Sequence, residues 1–260
     1  MAKYAPQKKT FDLVKRLNKF NKINIWIVFV LSILPLVINE IKSCDPSMTL
    51  NIVTYIQVTN VLLLVGGFII SAIKDYYLFP KAEFERRKDL IDNSFDTKYT
   101  LKSSEEYFTN SEISAGVYKL GVNLFQNLLF TVTVSKKMRP KAILKSVLFI
   151  ILFFLISFWG VKDVPIALPF LQLLFSAFVL GDLIKLLLYI SKNEKTLDDV
   201  QNVFANNQVT DAAIYKCVLD YETNLAWGSL LLNDGIFNEI NDETEEEWKV
   251  IKNKYQIKNA

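Results

Sequence analysis

Histidine is absent from all 260 residues. That excludes imidazole general bases, His–metal sites and proton relays through imidazole. Cysteine is scarce too, and Cys44 and Cys217 are too few for a structural zinc site or a disulfide framework. Phosphate-binding signatures are missing: no GxxxxGK[ST] or GxGxxG occurs, and Gly66-Gly67 lies inside an apolar run. With no nucleophile–base or metal constellation either, the chain reads as a non-enzyme with no cofactor and no metal. No nucleic-acid partner is expected.

What the chain has is apolar length. Hydrophobic residues make up 51% and aromatic residues 13% of it. A soluble domain can share those fractions, so their distribution decides the class. They gather into runs near the ~20 residues needed to cross a bilayer. The spacing predicts four spans, over residues 23–41, 51–73, 143–161 and 164–190. The fourth has 27 residues, about 40 Å of helix, against a hydrocarbon core of about 30 Å. Its last turns are therefore expected to emerge from the bilayer. The formal charge of +3 says little, because the charges are segregated along the chain.

A charged stretch over residues 74–145 separates the two pairs of runs. It carries Glu83, Glu85, Arg86, Arg87, Lys88, Asp89 and Asp92, and closes on Lys136, Lys137, Arg139, Lys141 and Lys145. Nothing so charged sits in hydrocarbon, so it reads as a water-exposed module between two membrane hairpins. Orientation follows from lysine. Residues 1–22, the module and the region of Lys192 are rich in it, whereas the short connectors hold only Lys42 and Lys162. The positive-inside rule then puts both termini and the module in the cytoplasm. Trp26, Tyr76, Tyr77 and Tyr189 fall at the inner interface, and Tyr55 and Trp159 at the outer, as an aromatic belt would. The basic start resembles a signal peptide but lacks a small-residue cleavage motif, so it reads as an uncleaved anchor.

The reading is thus an all-α integral membrane protein, with four transmembrane helices in two hairpins plus a helical cytoplasmic region. Its parts are a basic N-terminal segment (1–22), a first hairpin (23–73), the module (74–142), a second hairpin (143–190) and a tail (191–260). Within the module, residues 81–95 read as a charged helix and residues 103–106 as a turn into a short helical piece. A longer helix over 111–138 follows, its end made uncertain by Thr131-Val132-Thr133-Val134. Together they suggest a helical hairpin packed under the bundle. In the tail, Asp211 reads as the cap of a helix with Ile214, Val218, Tyr221, Leu225 and Leu232 on one face. A final helix starts at Asp242 and runs from acidic to basic, as the helix dipole favours.

Each span carries a polar or small-residue stripe. The first offers Asn24, Ser32, Pro35 and Asn39. The second offers Gln57, Asn60, Gly67, Ser71 and Lys74, all within about 100° on a helical wheel. The third offers Ser146, Ser157 and Gly160, and the fourth Pro165, Pro169, Gln172, Ser176 and Asp182. Such residues are ordinary glue between membrane helices. Alternatively they line a hydrated path, since amides in hydrocarbon are costly unless paired or wet. Four packed helices leave no pore, so conduction would need several subunits around one axis. The pore-lining candidates are Asn39, Gln57, Asn60, Ser71, Gln172, Ser176, Asp182 and Lys185. Asp182 and Lys185 share a helix face, either as a gate pair or as a pair snorkelling at the inner interface.

In the module, Asp89, Asp92 and Asp96 recur at helical spacing. They could coordinate a divalent ion, but Arg86, Arg87 and Lys88 compete for them, which favours a solvated, salt-bridged face. The same basic triplet with Tyr99, Tyr107 and Phe108 could instead meet a phosphate-bearing ligand or a partner, because arginine forks match phosphate and aromatics stack on bases.

Two spans, a cytoplasmic module of some seventy residues, two more spans and a cytoplasmic tail make a recognisable plan. It resembles the four-transmembrane-helix pore-forming effectors encoded beside bacterial nucleotidyltransferases in anti-phage signalling systems. Glu83-Phe84-Glu85-Arg86, just after the second span, is similar to an acidic–Phe stretch there. The resemblance implies an oligomeric effector of the bacterial inner membrane. It would stay quiet until a cyclic nucleotide or a partner protein reaches its cytoplasmic part, then permeabilise the lipid bilayer. The rivals are a membrane scaffold or accessory subunit, and a small-solute transporter. The transporter is disfavoured because intramembrane charge is scarce and no paired broken helices mark a midplane site.

Overall fold

The computed structural model describes residues 5–40, 46–101, 104, 108–160, 180–206 and 209–257, and every regular element among them is helical. In chain order they are α1 (Lys8–Glu40), α2 (Pro46–Ile73), a π-helical turn (Lys74–Leu78), α3 (Phe79–Phe95), α4 (Val117–Gly160), α5 (Leu180–Ala205), α6 (Asp211–Gly228) and α7 (Asp234–Lys254). The chain divides into two compact units. One comprises Met1–Thr10, Lys81–Ala142 and Ile184–Ala260, the other Phe11–Pro80 and Ile143–Leu183.

In the second unit, α1 and α2 form an antiparallel hairpin. Covered positions on α2 include Val53, Ile56, Asn60, Leu63, Gly67 and Ile70, and Lys74 of the π turn continues the row. They alternate three and four residues apart, which keeps one seam facing a partner helix. Most of the remainder is exposed and apolar, including Tyr55, Val61, Leu62, Leu64, Val65 and Phe68. Two helices among the described residues, Lys8–Pro35 and Leu50–Phe95, are long and apolar enough to cross a membrane. Only 6% of either apolar window is buried, whereas the core helix of a soluble protein would hide most of it.

The second of these helices runs unbroken into α3 through the π turn. Proline explains the turn's place. Pro80 has no N–H for the carbonyl of Tyr76, and its ring crowds that carbonyl. The ladder widens one residue early, with the Phe79 N–H reaching back to the Lys74 carbonyl.

The first unit is organised around the N-terminal half of α4. Residues 119–135 are buried at almost every position, so this stretch is covered on all sides, and the polar side chains among them, Asn123 and Gln126 included, must find partners inside the unit. Val122, Leu124, Phe125, Leu128 and Val132 meet Val200 and Phe204 of α5, Cys217 and Tyr221 of α6, and Trp248 of α7. Phe125 is the hub, with ring centroids 5.4 Å from Trp248 and 5.6 Å from Phe204. α3 lies against the start of α4 and α6 through Leu90, Leu120 and Ile214. The loop between α3 and α4 closes with Gly116 donating to the Ser94 carbonyl at 2.9 Å. Gly116 has φ +150, a conformation side chains rarely adopt.

Several sequence expectations change here. The helix expected over 111–138 starts at Val117 and does not end near Met138: it passes through Thr131-Val132-Thr133-Val134 and Pro140 to Gly160. Tertiary burial overrides the weak helix propensity of the β-branched run. Thr133 and Ser135 turn their hydroxyls back onto the carbonyls of Leu129 and Thr131. Thr210, not Asp211, caps α6, its Oγ1 accepting the Ala213 N–H at 3.2 Å. Leu232 lies beyond that helix. The final helix starts at Asp234 under an Asn233 cap, earlier than expected. Tyr189 is no interfacial belt residue but is 1% exposed, in the core of the first unit. Ser103, Glu105 and Glu106 of the expected short helix, and the start of the fourth span, lie outside the described residues.

Candidate functional site

The polar stripe of the membrane-length hairpin is built into its seam. Asn24 Nδ2 on α1 donates to the Leu63 carbonyl at 2.9 Å, and Asn60 Nδ2 on α2 donates to Ser32 Oγ at 2.9 Å. Lys74 Nζ donates to Asn18 Oδ1 at 3.1 Å and pairs with Asp75 at 3.2 Å. Gly67 exists for this packing. A Cβ there would lie 2.3 Å from Asn24 Nδ2, so glycine makes the room the amide occupies. Of the pore-lining candidates, Asn60 therefore serves the hairpin, although its Oδ1 is buried without a partner among the described residues. Ser71 donates to Asp75 at 3.2 Å. Gln57 is different: it is exposed, on a face with Val61, Leu64 and Phe68. Asp182 is exposed and Lys185 half-buried. Gln172, Ser176 and the side chain of Asn39 lie outside the described residues.

The charged helix of the module is not the solvated, salt-bridged face expected from its spacing. Asp89 and Asp92 are 1% and 3% exposed, and both accept from the loop that follows α3. Asp92 takes Thr97 Oγ1 at 2.8 Å, Thr100 Oγ1 at 2.6 Å, and the amides of Tyr99 and Thr100 at 2.8 and 2.7 Å. Burial alone would raise its carboxyl, but these bonds outweigh burial and hold it below the usual range. Among the described residues Asp89 accepts from Ser104, whose N–H lies at 2.8 Å, and there burial wins and pushes the carboxyl up. Asp96 leaves the helix at φ 55. Among the described residues no His, Cys, Asp and Glu cluster could hold a metal.

The arginine forks point elsewhere. Arg86 Nη2 donates to both Glu222 oxygens at 2.8 and 2.7 Å, and its Nε donates to Glu83 at 2.9 Å. Arg87 Nε reaches the same Glu222 at 2.7 Å. The Arg86 guanidinium lies 5.7 Å from the Tyr221 ring centre, and Tyr221 meets Thr131 at 3.2 Å. Burial alone would lower the Arg86 guanidinium, but Glu83, Tyr221 and Glu222 outweigh it and hold the group above its ordinary value. Lys88 sits 4.6 Å over the Phe84 ring. Tyr99 is exposed on the loop pinned by Asp92, Phe108 packs beside Leu90, and Tyr107 lies outside the described residues. The basic triplet is thus not gathered with these aromatics into one cradle. A phosphate would have to displace Glu222.

Sequence reading missed Glu222, more than 130 residues from Arg86, since nothing local couples them. It also missed an amide network in the same unit. Asn110 Nδ2 donates to Asn123 and Gln126 at 2.9 Å each, Asn123 donates on to Asn93 and Ser94, and Trp248 Nε1 donates to Asn110 at 3.3 Å. Asn123 and Gln126 inside an apolar run were the available signal. Comparison with protein-family models, curated proteins and solved structures returns no match.

Proposed function

We propose that this chain is a regulated, oligomeric membrane-disrupting or pore-forming effector of bacterial anti-phage defence, triggered through its cytoplasmic region. In this reading it spans the inner membrane four times, with both termini inside. The observation that carries it is Gln57: an exposed carboxamide in the middle of a membrane-length helix, among exposed apolar side chains. An amide left in hydrocarbon costs several kcal/mol, on the order of 2–7, so another polar surface or water must meet it in the working assembly. The separately cored helical unit and the resemblance in topology support a cytoplasmic trigger, a cyclic nucleotide or a partner protein.

The scaffold reading also has an observation behind it. Asn24, Asn60 and Gly67 are consumed by hairpin packing, as helix glue would be. Inducible expression with a membrane-potential dye separates the two. An effector depolarises the membrane when triggered by phage infection beside its neighbouring genes, and Gln57→Leu, at equal abundance, abolishes it. Cells that stay polarised throughout would leave the scaffold.

A further inference from the structure

In the first unit α4 and α5 run antiparallel. Phe125 meets Phe204 with ring centroids 5.6 Å apart, and further along Lys136 pairs with Glu194 at 2.7 Å. Counted along both helices from that pair, Lys141 stands level with Tyr189. The exposed side chains change character at this level on both helices. On α4 they pass from Lys136, Arg139 and Lys141 to Ile143 and Leu144, and on α5, read backwards, from Lys195 and Lys192 to Leu188 and Ile184. A third helix returns to the same level. α6 runs antiparallel to α5, with Lys216 on Asp199 at 2.9 Å, Asn224 donating to Thr196 at 3.0 Å and Lys192 lying 4.4 Å over the Trp227 ring. A Cβ on Gly228 would strike the Tyr189 ring, so α6 ends where the exposed faces turn apolar. Trp227 is 44% exposed there. The chain then turns at Ser229, φ 42, into Leu230-Leu231-Leu232 before Asn233 caps α7. All three leucines are half-buried, and none belongs to the two apolar clusters that form the unit's core. Connecting loops are ordinarily polar, so three leucines in a row beside an open indole mark a contact surface.

We infer that this corner, Trp227 with residues 230–232, seats in the lipid headgroup layer of the leaflet that α4 and α5 enter. Its level is continuous with the exposed apolar side chains of both helices. An indole beside leucines is the composition that settles at a membrane boundary. The exposed cations at the same level, Arg139, Lys141 and Lys192, suit anionic headgroups. The helical unit is thereby held to the membrane at a second place, besides the helices that enter it. The inference rests on the membrane-spanning reading but not on pore formation.

The test uses the full chain in vesicles of phosphatidylethanolamine and phosphatidylglycerol, with and without bromine on the acyl chains near the headgroup, and reads tryptophan emission. Trp248, 0% exposed, supplies emission that bromine does not reach, and Trp26, 48% exposed on α1, supplies emission that it does. With Trp227 in lipid, Trp227→Phe removes a quenched fluorophore and the quenched fraction falls. A rise would place Trp227 in water or against a second copy and overturn the proposal. A second readout covers the case in which that substitution disturbs the corner. In a chain carrying Cys44→Ser and Cys217→Ser, nitroxides are placed at Leu231→Cys or at Leu219→Cys, the latter position 67% exposed further up α6. The ratio of oxygen to nickel-chelate collisions should be higher at position 231 than at 219, and equal ratios would overturn the proposal as well. A nitroxide at Leu62→Cys, 67% exposed on α2, probes the spanning reading itself. Free nickel access at 62 would sink that reading, whereas oxygen preference at 62 with free nickel access at 231 would remove this contact alone.

Discussion

Arg86 joins α3 to α6 by answering two buried carboxylates at once, and its removal exposes what that costs. Arg86→Ala would leave Glu222 and Glu83, 17% and 8% exposed at their side chains, without their main counter-charge. Breaking a buried pair in this way typically costs about 3–5 kcal/mol. Denaturant unfolding of the purified chain should register that loss, and a change under about 1 kcal/mol, the range of surface pairs, would contradict the geometry. The two buried aspartates should respond to pH with opposite signs. Asp92 ionises below its ordinary value, so its contribution is complete above about pH 4 and is lost as pH falls through the lower folded value. Asp92→Asn should therefore lower the unfolding midpoint at pH 7 and flatten its fall in acid. Asp89 is raised, so its ionisation costs stability above the folded value, and the cost is relieved as pH drops toward about 4. Asp89→Asn keeps an acceptor for Ser104 and should raise the midpoint at pH 7, an advantage that shrinks in acid. A uniform response of both variants would remove this account.

At the scale of elements, the hairpin seam is the best-determined feature of the membrane-length unit. Gly67→Ala would drive Asn24 off the Leu63 carbonyl, and interhelical hydrogen bonds of this kind are worth about 0.6–2 kcal/mol. Because Asn24→Ala removes the same bond, the double variant should cost little more than either single one, a coupling that a double-mutant cycle reads directly. Full additivity would mean that glycine and amide act independently. Much at this scale could be read from the sequence. The apolar runs, the charged helix after the second one and the dipole-matched terminal helix all follow from periodicity and charge order. Helix ends were less legible. The β-branched residues 131–134 read as a terminus because their burial against α6 depends on residues some ninety positions away. The acids of α3 read as a solvated face because spacing marks a helix face but cannot say whether solvent or a loop covers it. The polar stripe was visible residue by residue. Its division into packed Asn60 and exposed Gln57 required the register of α1 on α2.

For the whole molecule, the central claim is that the first hairpin crosses the membrane with its connector outside and the helical unit within the cytoplasm. The chain carries its own reporters. Cys44 lies in the connector by sequence, and Cys217 is 3% exposed in the core of the helical unit. Spheroplasts expressing the protein, treated with a membrane-impermeant maleimide, should therefore label at Cys44 without permeabilisation. Cys44→Ser should abolish the signal and Cys217→Ser should leave it unchanged. Labelling of Cys44 only after the membrane is opened would place the connector inside and contradict the topology on which the effector reading stands.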